Sequence, residues 1–360
     1  MKNKKFHKDF RLNGKSFSSS DEISAFSNTI SVSVSTFLSN WFSSDDFITV
    51  QTSGSTGKPK LIQLKKEFMI NSALATGEFF DLKENTTALL CLSVDFIAGK
   101  MMLVRALVLG WKLDVVAPVS NPIENLKKEY DFAAFVPMQL QNSLKNIHKI
   151  KTIIVGGGIV SSKLEKQIQN IKTQVFATYG MTETITHIAV KKLNNVSEDE
   201  LISASYYRVL PNIKIYRDTR NCLVIDAPKI SQEIIITNDV VEIISENEFK
   251  WLGRFDNVIN SGGIKLHPEI IEEKLSAIIK ERYFVAGIPD EILGEKLVLV
   301  IESNIISNEK EKSLQQEIRK LKSLSKFEIP KEIYFVSKFI ETETKKIQRS
   351  ITLDLVNFIK

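Results

Sequence analysis

The sequence predicts an α/β protein with a large N-terminal domain, built on a mostly parallel helix-covered sheet plus a β-rich subdomain, and a small α+β C-terminal domain. Three observations predict it. Between residues 47 and 177, short β-branched apolar runs alternate with stretches of helical periodicity, the pattern of a parallel sheet covered on both faces. From about residue 205 short strands follow one another with only turn residues such as Asp218, Asn221 and Asn247 between them, which reads as antiparallel. A second shift follows Gly253-Arg254-Phe255-Asp256, where a proline-opened helix and a charged helix join three further strands. The boundary is therefore expected between residues 253 and 254, giving domains 1–253 and 254–360.

Residues 1–45 read as a short leader, with a Ser-rich stretch to Ser20 and one amphipathic segment to Trp41 in which Phe26, Ile30, Val34, Phe37 and Leu38 recur at helical spacing. Phe47–Val50 is strand-like and runs into a Gly/Ser/Thr loop. Lys66–Phe80 reads as a helix, Ala88–Leu92 as a buried strand and Lys100–Leu109 as an apolar helix. Leu113–Val116, Phe132–Val136, Thr152–Val155 and Gln174–Ala177 read as strands, with a helix over Ser162–Asn170. Lys214–Tyr216, Cys222–Ile225, Ile234–Thr237 and Val240–Ile244 are the short strands of the β-rich part. Pro268–Lys280 and Asn308–Leu324 are the C-terminal helices, and Tyr283–Gly287, Lys296–Ile301 and Glu332–Val336 the strands beside them.

The 360 residues are 43% apolar and 25% charged, enough to bury a sizeable core. The net charge of +5 is spread in short clusters, which does not call for a nucleic-acid partner. Two cysteines, Cys91 and Cys222, imply no disulfide framework, and none of the four histidines has metal-ligand spacing. The N-terminus MKNKKFHKDFRLNGKSF has no apolar h-region, and no run long enough to span a membrane occurs. The expectation is a reduced, cytoplasmic enzyme.

Six stretches carry chemistry. In Thr52-Ser53-Gly54-Ser55-Thr56-Gly57-Lys58-Pro59-Lys60 the glycines free the backbone to wrap an anion, hydroxyls and N–H groups can bond phosphate oxygens, and the lysines add charge. Pro59 and the short glycine-to-lysine spacing exclude a GxxxxGK[ST] loop. Thr178-Tyr179-Gly180-Met181-Thr182-Glu183-Thr184 follows a strand at the place where α/β sheets present their ligand crevice, with a ring for stacking and a carboxylate for a cation. Val155-Gly156-Gly157-Gly158 ends another strand and lets a flat ligand approach the main chain. Thr237-Asn238-Asp239 reads by itself as a polar turn between strands, and Thr342-Glu343-Thr344-Lys345-Lys346-Ile347-Gln348-Arg349 as a solvated basic turn. The long segment Trp251–Glu272 is explained as a turn and capped helix only over Pro268–Glu272.

Together, and in the family's order along the chain, the six resemble the motifs of the adenylate-forming enzymes: acyl-CoA synthetases, adenylation domains and luciferases. The resemblance covers residues 52–349. It implies ATP or AMP contacts from Thr52, Ser53, Gly54, Ser55, Thr56, Gly57, Lys58, Gly156, Gly157, Gly158, Tyr179, Gly180, Thr182, Asp239 and Arg254. Glu183 becomes the Mg2+ ligand, Lys346 the adenylation lysine acting with Thr182 and Glu183, and Asp256 the hinge of a mobile C-terminal lid. Gly262 and Gly263 become the loop facing CoA. The chain departs from the family pattern at Asn238 and Lys345, where glycine is usual, and at Ile340, where proline is usual.

The phosphate loop begins near residue 52, so most of the family's usual N-terminal subdomain is expected to be missing. Compact chains of this kind resemble the short bacterial o-succinylbenzoate–CoA ligases of menaquinone biosynthesis. Gly99 and Arg105 keep the spacing of those enzymes' His-x-x-Gly…Arg pattern, with Phe96 in place of the histidine. Arg105 is then expected to pair with a second substrate carboxylate, although alone it reads equally as a helix-surface ion pair. His187 reads as lining the acyl pocket or as a packed core histidine. The implied activity is an ATP-dependent, Mg2+-dependent acid–CoA ligase acting on a small carboxylic acid. Loading of a carrier protein, or an inactive nucleotide-binding paralogue with a regulatory role, are the open alternatives.

Overall fold

The computed structural model describes residues 6–51, 60–196, 205–304, 308–342 and 347–357. One 13-stranded sheet dominates the chain up to Arg254. Its parallel half runs, edge inward, as Arg11–Leu12, Lys112–Val115, Thr87–Leu90, Tyr130–Phe135, Ile150–Val155 and Gln174–Gly180. The central three, Thr87–Leu90, Tyr130–Phe135 and Ile150–Val155, are buried on both faces: Ala88, Leu89, Leu90, Phe132, Ala133 and Ile153 are all fully enclosed, as helix-covered parallel strands require. Helices Lys66–Phe79 and Ile97–Leu109 supply cover, the second so apolar that Met101 to Leu107 are buried without interruption.

Apart from Lys15–Ser16, which pairs antiparallel with Arg11–Leu12 at the edge, the sheet changes from parallel to antiparallel at one place. His187–Lys192 pairs antiparallel with Gln174–Gly180, and every strand beyond it is antiparallel: Tyr207–Val209, Glu248–Arg254, Ile235–Ser245, Cys222–Asp226 and Lys214–Arg217. The α/β class with a β-rich part therefore stands.

Three expectations are corrected. Residues 1–45 were expected as a leader, but described residues 6–45 pack onto the large sheet and add side chains to its core: Arg11 pairs with Lys112, and Phe10 and Leu12 are fully buried. The rings of Phe6, Phe10, Phe17 and Phe26 pack in succession at distances of 6.5, 6.1 and 5.6 Å, the first pair edge-on, the second stacked and the third tilted. The single amphipathic segment is two helices, Ser20–Ser27 and Val32–Phe42, because Ser19 and Ser31 each accept an N-cap hydrogen bond and start a helix of their own. Thr237–Asp239, expected as a turn between two strands, lies inside one strand, Ile235–Ser245. The long strand runs from 236 to 240 while its neighbour runs only from 224 to 222, so Thr237–Asp239 bow out as a bulge. Glu248–Arg254 on the other side keeps the strand continuous.

A second sheet holds Ile264–Leu266, Ile259–Ser261, Gly294–Glu302, Tyr283–Asp290 and, parallel to Gly294–Glu302, Glu332–Val336. Helices Pro268–Leu275, Asn308–Lys320 and Arg349–Asn357 accompany it, and its core centres on Ile271, Leu275, Val285 and Leu299. The helical turn Phe255–Asn257 links the last strand of the large sheet to the first of the small one. Phe10→Ala should lower denaturant-unfolding stability by about 3–5 kcal/mol, the cost of truncating a fully buried aromatic, whereas a detached leader would show no change.

Candidate functional site

A cleft of about 2160 Å3 opens where the parallel half of the large sheet meets the antiparallel half, at the C-terminal ends of the parallel strands. Strand Ile150–Val155 delivers Gly156–Gly158 to its wall, and Gln174–Gly180 delivers Tyr179 and Gly180. Gly180 is required by sterics, since a Cβ there would lie 2.2 Å from the carbonyl oxygen of Thr186.

Beyond Gly180 the chain turns sharply. Thr182–Thr184 is a short 3-10 helix, and Ile185 follows at φ 65° and ψ −61°, a conformation rarely adopted by a β-branched residue. The Thr186 N–H donates to the Thr184 carbonyl at 2.7 Å, closing a strained γ-turn. The Thr184 hydroxyl holds the turn, accepting from Met181 N–H at 2.9 Å and lying 2.7 Å from the Thr186 carbonyl. This turn presents Glu183 to the cleft on one side and Thr186 and His187 on the other. Glu183 is exposed, and no bond to it is seen among the described residues. No group of three metal-ligating side chains occurs among the described residues, so Glu183 would hold a divalent ion together with oxygens of a bound anion, the usual way Mg2+ is held.

The bulge aims Asp239 at the same cleft. Asp239 is 6% exposed, and its carboxylate accepts the Tyr179 hydroxyl at 2.6 Å and the Trp251 indole N–H at 3.1 Å. Arg254 Nη1 lies 3.6 Å away. Burial, reinforced by the Asp239 charge, pushes the Tyr179 phenol well above its ordinary value, so it stays protonated and donating. The Tyr179 ring meets Tyr207 and Phe249 edge-on at 5.8 and 5.1 Å. Trp251, absent from the expected site residues, is the clearest omission; its place in the strand pairing with Asp239's strand, not its sequence, makes it a partner.

Arg105 lies at the inner end of the cleft and is only 1% exposed. The helix-surface ion pair is thereby excluded: among the described residues no carboxylate pairs with it. Its contacts are neutral and long: Thr76 Oγ1 at 3.3 Å, Thr186 Oγ1 at 3.4 Å, His187 Nδ1 at 3.5 Å and Met102 Sδ at 3.7 Å. Burial pushes its pKa down to about 9, which leaves it cationic at neutral pH. The same burial, with the Arg105 charge beside it, drives His187 well below the ordinary histidine value. A neutral imidazole with its proton on Nε2 accepts from Arg105 and faces the Thr76 hydroxyl at 3.5 Å. Thr76 and Thr186 were not foreseen, because they come from a separate helix and from the strained turn.

Other expected site residues are placed differently. Thr52, Ser53, Gly54, Ser55, Thr56, Gly57 and Lys58 lie outside the described residues, between hairpin strands Phe47–Gln51 and Leu61–Lys65, and Lys60 lines the cleft. Lys346 also lies outside the described residues. Gly262 and Gly263 make an exposed hairpin turn, with φ of 59° and 79°, that does not line the cleft as it stands. Asp256 sits in the link between the sheets and meets Arg254 Nη2 at 3.4 Å. Asn238, in place of the family's glycine, has no left-handed φ and leaves Asp239 bonded. Phe96 caps the N-terminus of helix Ile97–Leu109 beside the cleft and is half exposed.

Because folded His187 resists protonation, the unfolded chain binds the extra proton below about pH 6.5. His187 therefore contributes a loss of stability as pH falls from there towards its depressed folded pKa, at a slope of up to about 1.4 kcal/mol per pH unit. Measured by denaturant unfolding between pH 7 and 5, His187→Gln should fall less steeply than the parent chain. Equal slopes would place His187 in a site open to water.

Comparison with known proteins agrees with this architecture. A 2-succinylbenzoate–CoA ligase of Lactococcus lactis subsp. lactis is 22% identical over 323 residues, covering 84% of this chain and 69% of the relative. An acyl-CoA synthetase (AMP-forming)/AMP-acid ligase II-like protein of Dyadobacter fermentans superposes with a TM-score of 0.60 at 38% identity, covering 91% of this chain and 95% of that one. The Bacillus subtilis O-succinylbenzoate coenzyme A synthetase, solved with ATP and magnesium ion, gives a TM-score of 0.70 at 21% identity, over 85% of this chain and 69% of that one. The pattern of the AMP-binding enzyme family matches residues 7–224, and the chain belongs to that family.

Proposed function

We propose that the chain is an ATP-dependent acid–CoA ligase that forms an acyl-adenylate and then a thioester, with 2-succinylbenzoate as its acid. The observation that carries this reading is the content of one cleft. A fully buried Arg105, with no carboxylate partner among the described residues, lies at its inner end, and Asp239 and Glu183 line the same cleft. A buried guanidinium facing only neutral groups favours an anionic ligand, and a planar carboxylate fits its fork. An acid with a second carboxylate could place that group on Arg105 and its reacting carboxylate towards the nucleotide. Relatives of this chain in Lactococcus lactis and Geobacillus are 2-succinylbenzoate–CoA ligases, named for an acid of this kind.

In this reading Asp239 accepts the ribose hydroxyls with the lone pairs that Tyr179, Trp251 and Arg254 leave free. Gly156, Gly157, Gly158, Tyr179 and Gly180 form the base-binding wall, and Thr182 with the loop Thr52–Lys58 receives the phosphates. Glu183 would hold Mg2+, which when bound neutralises charge across the phosphate oxygens. The acid's carboxylate oxygen attacks the α-phosphorus, the bond to pyrophosphate breaks, and Lys346 stabilises the charge that develops. Domain 254–360 then turns about Asp256, withdrawing Lys346 and bringing Gly262 and Gly263 to the CoA path. The thiol attacks the adenylate carbonyl carbon and AMP leaves. Such an enzyme would work in the cytoplasm; no helix among the described residues is long and apolar enough to cross a membrane.

ATP–pyrophosphate exchange across aromatic mono- and dicarboxylic acids tests the reading, with exchange expected for 2-succinylbenzoate. No exchange with any acid would point to the inactive paralogue. Lys346→Ala should abolish exchange yet still form thioester from preformed adenylate, and surviving exchange would refute the lysine's assignment. Arg105→Met should raise KM for the dicarboxylate about 30- to 100-fold, the worth of a charge-assisted bidentate contact, while leaving monocarboxylate turnover little changed.

A further inference from the structure

The large sheet is built from residues 11–254 and the small sheet from residues 259–336, so among the described residues their covalent link is the short segment Phe255–Val258. Side chains grip this link from both bodies, and the grips divide within it. On the large-sheet side stands Arg220, in the turn between Lys214–Arg217 and Cys222–Asp226. Asp218 holds the Arg220 guanidinium at 2.8 Å, and Arg220 donates to the Thr237 carbonyl at 3.1 Å and to Asn238 Oδ1 at 2.9 Å. It also lies over the Phe255 ring at 5.3 Å. With Oδ1 accepting from Arg220, the Asn238 amide nitrogen is turned outward and donates to Asp256 Oδ2 at 3.3 Å. On the small-sheet side, Asn257 donates to Glu269 Oε1 at 2.6 Å, from helix Pro268–Leu275.

We propose that Arg220 and Asn238 are positioning residues that fasten Phe255 and Asp256 to the large sheet, so that the small domain swivels beyond Asp256 and its orientation is set by the Arg220–Asn238–Asp256 chain of bonds. Asn238 precedes Asp239, and Arg254 reaches both Asp239 and Asp256, so the fastening sits on the same bulge as the nucleotide-facing carboxylate. A glycine at 238 would leave Asp256 without this donor and Arg220 with one acceptor fewer, breaking the chain of bonds between them. The consequence for catalysis rests on the two-step ligase reading; the consequence for domain orientation does not.

The test measures the separation of spin labels on Leu74→Cys and Ile292→Cys, both exposed and one in each body, with native Cys91 and Cys222 buried away from the label. Asn238→Gly and Arg220→Gln should each broaden or shift the distance distribution, while Lys214→Gln, the same loss of charge on the neighbouring strand, leaves it unchanged. If one variant fails to fold, the other carries the test. Unchanged distributions in the folded variants, or an equal change in Lys214→Gln, overturn the proposal. The ratio of ATP–pyrophosphate exchange to thioester formation should also move about tenfold, the lower end of the worth of one hydrogen bond to a charged group. A changed distance with an unchanged ratio overturns the positioning role and leaves a mere tether. Absence of exchange in the parent chain refutes the ligase reading alone, and the distance comparison still decides the fastening.

Discussion

The carboxylate of Asp239 is the interaction on which the site depends. It is nearly buried, so it must be paired, and it is paired by groups from two different strands: Tyr179 from the last parallel strand and Trp251 and Arg254 from the antiparallel half. These bonds tie together the two halves of the sheet across the cleft where they diverge. They also hold the Tyr179 ring against Tyr207 and Phe249, so the wall of the cleft is set by packing as well as by charge. The bulge at Thr237–Asp239 makes the arrangement possible, since a regular strand would carry the carboxylate past its donors.

Arg105 poses the opposite problem. Burying a cation costs free energy unless something nearby compensates, and its described partners are two hydroxyls, a neutral imidazole and a thioether. The strained turn at Ile185 is part of the same construction, because it brings Thr186 and His187 to the guanidinium. Strain and an undercompensated charge at one place are the features expected where a ligand, rather than the fold, completes the interactions.

The link between the two sheets has a comparable division of labour. Phe255 and Asp256 are held by side chains of the large sheet and Asn257 by Glu269 of the small one. Glu269 also lies against Gly253, whose φ of 138° and lack of a Cβ admit the carboxylate. Freedom of rotation is thereby narrowed to a few backbone bonds, which is how a hinge keeps its two end states distinct.

Legible in the amino-acid sequence were the fold class, the alternation of parallel strands and helices between residues 47 and 177, and the six stretches that resemble those of adenylate-forming enzymes. Each of these is a local property: β-branched runs, helical periodicity, glycine spacing, and a run such as Trp251–Glu272 too specific for a turn alone. Tertiary structure decided what depends on residues far apart in the chain. Phe10 and Leu12 are core because a strand at residues 112–113 receives them, which no pattern within residues 1–45 can reveal. Asn238-Asp239 looks like a turn until Glu248–Arg254, pairing Asp239 with Arg254, carries it within one strand as a bulge. Arg105 was equally a surface or a pocket residue in sequence, because its helix is apolar all round; only the packing of Thr76, Thr186 and His187 around it showed a buried charge with neutral neighbours. Burial and pairing are properties of the assembled sheet, and the chemistry of this site is made of both.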